Sequence, residues 1–349
     1  MCEYSCDDDG LPTDWHMVHL GSKAVGGTGL VMAEATAVTP AGRLTPSCSG
    51  IWSDAHVDAW RPITKFIAEQ GSVSGIQIAH GGRKASHTEP WNTPTRHLGS
   101  DEKGWQIVGP SAIEFDGSFG TPQELTNQEI AEITQQFVDG ALYSLEAGFK
   151  VVELHFAHGY LASSFMSPLS NHREDEYGGS LENRCRFALE TITEIRKAIP
   201  ESAPLFVRIS SSEFVEGGWD IEDSVQIAKW MKDAGVDLVD ASAGGNSADQ
   251  VLKLSPGYQV PFADAIRNQA GIMTAAVGLI TEAQQAEEIL QAGQADAVFI
   301  GRELMRNPYW SLYAQAQLDG ESDRWAKQYK PSSFDFKYTG PSEVISTSS

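Results

Sequence analysis

Short apolar runs alternate with longer amphipathic ones along most of the chain. Runs at 29–34, 73–78, 150–155, 205–209, 237–240, 272–276 and 296–300 are rich in Val, Ile, Leu and Ala. Parallel strands buried on both faces read this way. Between them the apolar positions follow the helical period, predicting helices at 53–69, 126–147, 180–198, 221–234 and 281–292, after a first helix at 13–25. Ser53-Asp54 and Thr126-x-x-Glu129 read as helix starts, the second as a capping box. Ala-Gly pairs at 147–148, 234–235 and 292–293 read as stops. Such alternation predicts an α/β fold with a parallel sheet and right-handed crossovers. An open sheet accommodates seven strands. A closed (β/α)8 TIM barrel needs eight, so on that reading one strand is missing ahead of the first helix.

The pattern lapses between Arg83 and Thr126, where Gly, Pro, Ser and Trp dominate. A loop this long following a strand is expected to act as a lid. We therefore expect one domain at 1–318 with a lid-like insertion at about 85–125. The aperiodic stretch 319–349 reads as a partly disordered tail. Charge narrows the partners: 25 basic against 47 acidic residues give a net −22, which disfavours nucleic acid and anionic membranes. The chain has no apolar run long enough to span a bilayer and no signal-peptide pattern at its start. Four cysteines, at 2, 6, 48 and 185, form no CxxC pair. The expectation is a cytoplasmic protein without a disulfide framework or bound metal.

In parallel α/β folds chemistry gathers at the carboxyl ends of the strands. The residues there are Ala35, Gln77, His155 with nearby His158, Arg208, Ser242, Gly278 and Gly301-Arg302. Backbone N–H groups at Gly278 and Gly301, with Arg302 opening the last helix, suit a phosphate. His155 and His158, three apart, present either two donors for one carbonyl oxygen or two metal ligands. No third ligand in the sequence favours the metal. Glu153 shares the face of His155 by alternation, and reads as a buried acid paired with Arg208 or Lys84. By composition alone, Met1-Cys2-Glu3-Tyr4 is ordinary terminal chain.

Several motifs together resemble one family. They are Met1-Cys-Glu-Tyr-Ser5, Asp14-Trp-His-Met-Val-His19, Gly75-Ile-Gln-Ile-Ala-His-Gly-Gly-Arg-Lys84, Glu153-Leu-His-Phe-Ala-His-Gly-Tyr-Leu161, Ser167-Pro-Leu-Ser-Asn-His-Arg173, Glu176-Tyr-Gly-Gly-Ser180 and Phe299-Ile-Gly-Arg-Glu-Leu304. Over nearly its whole length the chain resembles the old yellow enzyme flavoproteins, in particular their thermophilic-like (YqjM-like) ene-reductases. The resemblance implies an FMN-bound (β/α)8 barrel, an NADPH (or NADH) dehydrogenase that reduces activated alkenes by a ping-pong hydride transfer, and a homo-oligomer. It implies that His155 and His158 hold the substrate oxygen and that Tyr160 donates a proton. It also implies that Tyr4 adds a substrate hydrogen bond, Cys2 modulates the flavin and Met1 lies beside it. Gln77 would bond the pyrimidine edge of the flavin and Arg208 its N1/O2 side. Ala35 would line the ring, and Gly278, Gly301 and Arg302 would hold the phosphate. The chain departs from the family in two places. The family's first barrel strand precedes the Met-Cys-x-Tyr motif, on which this sequence opens, and Lys330 stands where the group carries an arginine that reaches a neighbouring subunit. The first departure motivates an alternative, an incomplete barrel that binds FMN weakly and turns over little. Relatives with iron–sulfur clusters are set aside, because no cysteines cluster after Cys185.

Overall fold

The computed structural model describes residues 1–320, 322 and 324–333. Helix α1 (Asp14–Val25) precedes the first strand, β1 (Leu30–Ala37). Then come α2 (Asp54–Glu69) and β2 (Val73–Ala79), followed by the two-residue strands β3 (Val108–Gly109) and β4 (Gln123–Glu124). The chain continues through α3 (Asn127–Glu146), β5 (Val151–Phe156), α4 (Leu161–Met166), α5 (Leu181–Ala198), β6 (Leu205–Ser210), α6 (Ile221–Asp233) and β7 (Leu238–Ser242). It closes with α7 (Val260–Ala270), β8 (Met273–Ala276), α8 (Ala283–Gln291), β9 (Ala297–Val298), α9 (Arg302–Arg306) and α10 (Trp310–Asp319).

Seven of the strands form one parallel sheet in the order β1-β2-β5-β6-β7-β8-β9, each joined to the next by a crossover. The seven apolar runs therefore are the seven strands, although the last run pairs over two residues only. In this order β1 and β9 stand at the two edges. The core lies between sheet and helices. Ile76, Ile78, Val152, Leu154 and Phe156 meet Trp60, Ile63 and Ile67 of α2, Ile130 and Phe137 of α3, and Phe187 and Ile192 of α5. Apolar residues on both sheet faces account for the near-continuous apolar runs.

Local signals act as their chemistry dictates, with one exception. Thr126 caps α3, accepting from the Glu129 N–H at 3.2 Å while the Glu129 carboxylate takes the Thr126 N–H at 2.8 Å. Ala147, Ala234 and Ala292 are C-caps, each followed by its glycine. Ser53 occupies the N-cap of α2 without a side-chain cap bond, because its hydroxyl bonds His56 Nδ1 at 2.7 Å instead. The stretch 85–126 holds one 3-10 turn, Ser100–Glu102, and the β3-β4 pair, and Ser86, Ile107 and Phe119 within it are buried. Of the expected tail at 319–349, residues 327–332 form a 3-10 turn, while 334–349 lie outside the described residues. No described helix is long and apolar enough to cross a membrane, and all four cysteines are free thiols.

Candidate active site

The site begins with an irregularity in β1. Ala33 pairs with Ile76 and Ala35 with Gln77, so Glu34 is an extra residue without a partner in the ladder, a β-bulge. The bulge sets Ala35 beside Gln77, which in turn sits beside Glu153 on β5. Two residues further along the strands, His155 aligns with Arg208 and Arg208 with Asp240. Strand register thus gathers these side chains at one end of the sheet.

Gln77 Nε2 donates to Glu153 Oε1 at 2.7 Å. The expected partners of Glu153 were Arg208 or Lys84, and neither bonds it. Arg208 Nη1 donates instead to Asp240 Oδ2 at 2.7 Å, on the neighbouring strand, and Lys84 turns to backbone carbonyls. Burial, with repulsion from Asp240, pushes the Glu153 carboxyl up to about 8, so it holds a proton at neutral pH. The unfolded carboxyl ionises in the usual range. Between there and about pH 8 the native state therefore binds a proton the unfolded state lacks, and this group's contribution to stability falls as pH rises through that window. Glu153→Gln keeps the neutral shape at every pH. It is expected to raise the melting temperature at pH 8 and change it little near pH 5. Melting curves at both values decide this, and an equal gain at both would show that Glu153 is ionised throughout.

His155 and His158 lie with ring centroids 5.0 Å apart, edge to face. Burial, aided by Arg208, holds His155 well below the usual imidazole range, and burial with His155 does the same for His158. Both rings are neutral. The Ala157 N–H points at His155 Nδ1 at 3.3 Å, which leaves the proton on Nε2. His158 Nε2 lies 2.7 Å from Ser242 Oγ, which itself accepts from Arg208 Nη2 at 3.3 Å; with the hydroxyl donating to Nε2, the imidazole proton is on Nδ1. The arrangement offers two neutral N–H groups near one point. His158 has a positive φ of 63°. A side chain at Gly245 would come within 2.7 Å of the His158 Cα, so a glycine is required for the loop after β7 to support this turn. Lys84 completes the support, its Nζ donating to the His158 carbonyl at 3.0 Å and the Gly245 carbonyl at 2.7 Å. Burial lowers its ammonium to about 7.

The Tyr160 ring meets His155 edge-on at 4.8 Å, and burial raises its phenol well above the usual range, so it keeps its proton. Tyr4 interacts electrostatically with Tyr160 and shares a side-chain hydrogen bond with Cys2. Its ring also meets Trp91 of the 85–126 stretch at 5.7 Å. Met1 lies against Gly301, where an added Cβ would sit 3.2 Å from the Met1 sulfur. At Gly278, φ is +113° and a Cβ would fall 2.7 Å from Gln259 Nε2, so this turn too needs glycine. Arg302 is exposed at the start of α9 and makes no ion pair or hydrogen bond among the described residues. The strand-end residues anticipated from the sequence lie at the carboxyl end of the sheet, the mouth of the candidate site, where Tyr160 packs on His155, Tyr4 interacts with Tyr160 and Cys2, and Met1 lies against Gly301. Missing from that reading were Asp240, Gln259 and Trp91, as well as Lys84 in its present role. Asp240 follows an apolar pair within its run and carried a readable signal, a lone acid in a strand opposite an arginine.

The NADH:flavin oxidoreductase / NADH oxidase family matches residues 1–321. The chain is 48% identical to an NADPH dehydrogenase of Bacillus subtilis, over 92% of this chain and 90% of that one. Among solved structures, an old yellow enzyme homologue from Zymomonas mobilis superposes with a TM-score of 0.73 at 25% identity, over 96% of this chain and 93% of that one. The 2-naphthoyl-CoA reductase complex with 2-naphthoyl-CoA gives a TM-score of 0.80 at 26% identity. It covers 92% of this chain, which spans only 49% of that protein.

Proposed function

Because the chain belongs to the NADH:flavin oxidoreductase / NADH oxidase family, we propose that it is an FMN-dependent NADPH dehydrogenase that reduces activated alkenes. The observation that carries the alkene reading is the pair of neutral imidazole N–H groups beside a protonated tyrosine. The residues present fit FMN. Arg208 Nε is buried without a partner, and Gln77 has no bond at its amide oxygen among the described residues, so both can serve a flavin ring edge. Gly278, Gly301 and the unpaired Arg302 would hold the phosphate, while Ala35, Met1 and Cys2 would flank the ring. In a protein of net charge −22, an arginine without a carboxylate partner suits an anionic ligand.

Bound FMN would supply the hydride, taken from NADPH in one half-reaction and delivered to the β-carbon of the alkene in the other. The protein's part is acid–base and electrostatic. His155 and His158 donate to the substrate's carbonyl or nitro oxygen as negative charge grows there. Both rings being neutral, their donor strength does not depend on a proton lost near pH 7. Tyr160 delivers the proton to the α-carbon, and Tyr4 adds a hydrogen bond at the outer rim. The reading also includes the barrel that an eighth strand between β1 and β9 would close, work in the cytoplasm and assembly with further copies of the chain. Near-half identity to an NADPH dehydrogenase over nine-tenths of its length favours a working enzyme over an incomplete, weakly binding barrel. The test is direct. Purified protein reconstituted with FMN should oxidise NADPH when 2-cyclohexenone is added and yield cyclohexanone. NADPH oxidation by oxygen alone, with the enone recovered unchanged, would overturn the alkene reading and leave the dehydrogenase.

A further inference from the structure

Beside the mouth lies a second buried cluster of titratable groups that the mechanism does not use. At its centre is Glu34, the residue expelled from the β1 ladder and only 5% exposed. Neither of its oxygens serves the sheet. Oε2 accepts the Glu3 N–H at 2.6 Å, and Oε1 bonds His16 Nε2 at 3.0 Å. His16 is fixed from its other side, where Nδ1 accepts the Thr13 N–H at 3.0 Å, and Cys6 Sγ lies 3.6 Å from Nε2. Glu3 returns the grip on α1: its Oε2 accepts from Trp15 Nε1 at 3.0 Å, and its Oε1 lies 3.5 Å from His19 Nε2. Burial lowers His19 to about 4, and Lys23 Nζ stands 3.1 Å from its Nδ1. His19 is therefore a neutral donor to Glu3 through Nε2.

Residues 1–13 contain no helix or strand; main-chain bonds hold their later part, from the Cys6 N–H to the Ser47 carbonyl and from the Gly50 N–H to the Gly10 carbonyl, while Glu3 is held through the Glu34 side chain. Glu3 takes contacts from both β1 and α1, and it lies between Cys2 and Tyr4, the residues at the mouth. A buried carboxylate is costly in a strand that apolar side chains would otherwise fill. Spending both oxygens on a neighbouring segment gives the group a positional task. We infer that Glu34, with His16 and Glu3, is a latch that fixes the N-terminal segment so that Cys2 and Tyr4 face the mouth. Glu34 is thus a positioning residue and touches no substrate. The consequence for turnover rests on the flavin reading above, but the latch itself does not.

The experiment is site-resolved alkylation of the flavin-free protein by iodoacetamide, followed by mass spectrometry. In the wild type, Cys2 is half-buried and burial pushes its thiol up, so labelling is slow. Glu34→Ala and Glu3→Ala should each speed labelling of Cys2 about tenfold or more, as expected from losing hydrogen bonds to a charged group. Cys185, fully buried in α5, should label at its wild-type rate, reporting intact global structure. Glu34→Gln, which keeps an oxygen for the Glu3 N–H, should return most of the protection. In reconstituted protein the two alanine variants should lose Tyr160–Tyr4 cooperation, seen as a raised KM for the enone with kcat for NADPH oxidation little changed. Unchanged Cys2 labelling in both alanine variants overturns the latch. So does a parallel rise at Cys185, which would mean general loosening. Loss of enone reduction in the wild type would sink the alkene reading without touching the labelling result.

Discussion

Replacing both His155 and His158 by alanine is expected to cut enone reduction by about a thousandfold or more while FMN stays bound. Each imidazole is a neutral, buried donor fixed by its own partner, the Ala157 N–H for one and Ser242 for the other. Donors of this kind, set in advance where charge develops, are worth about a hundredfold or more apiece. Neither ring is among the groups assigned to the phosphate or the flavin edge, so the visible flavin spectrum should persist. Single variants separate the two contributions. His158→Ala carries a further effect, since His158 sits at φ 63°, a conformation that its carbonyl contacts with Lys84 help maintain. Steady-state reduction of 2-cyclohexenone, together with a flavin titration, measures both quantities. Wild-type turnover and affinity in the double variant would remove the two rings from the mechanism.

Arg302→Ala is expected to weaken FMN binding by roughly ten- to a hundredfold, the worth of a charge-assisted contact to phosphate. Enone KM in the flavin-saturated enzyme should hardly move. The protein carries 25 basic and 47 acidic side chains, yet Arg302 has no acid paired with it among the described residues, whereas Arg306 on the same helix bonds Glu303 at 3.0 Å. Fluorescence titration of flavin-free protein gives the constant. Equal affinity in variant and wild type would place the phosphate elsewhere.

These expectations rest on residues that the sequence displayed unequally. The sheet was legible because each strand is an apolar, β-branched run, as in Val151–Phe156. Helix α4 was not, because all six of its residues are buried and it therefore shows no polar face to give a period. Helix α7 was obscured by Pro261 at its start. His155, Arg208 and Gln77 were legible from their place at strand ends. Glu153 was placed on the right face and given the wrong partner, since strand register awards Arg208 to Asp240. The role of Lys84 could not be read, because its partners are main-chain carbonyls of two remote loops, and any sequence supplies carbonyls. The Glu34 cluster was hidden in the same way, its members scattered over residues 3 to 34 and joined only after folding.

The extra residue in β1 carries a consequence beyond the contacts around it. A strand with regular alternation has one phase, and every side chain along it answers to that phase. The insertion at Glu34 divides β1 into two halves with independent phase. Leu30 to Ala33 keep step with the β2 residues Val73 to Ile76, and Ala35 to Ala37 with Gln77 to Ala79. The lower half is thereby free to vary with the packing beneath it and the upper half with whatever occupies the mouth. Pairing these same residues with β2 without the bulge would erase that separation. It would carry Ala35 past Gln77 to Ile78 and bring a carboxylate to the place where the mouth now presents a methyl group, a change of ligand chemistry achieved without a single substitution.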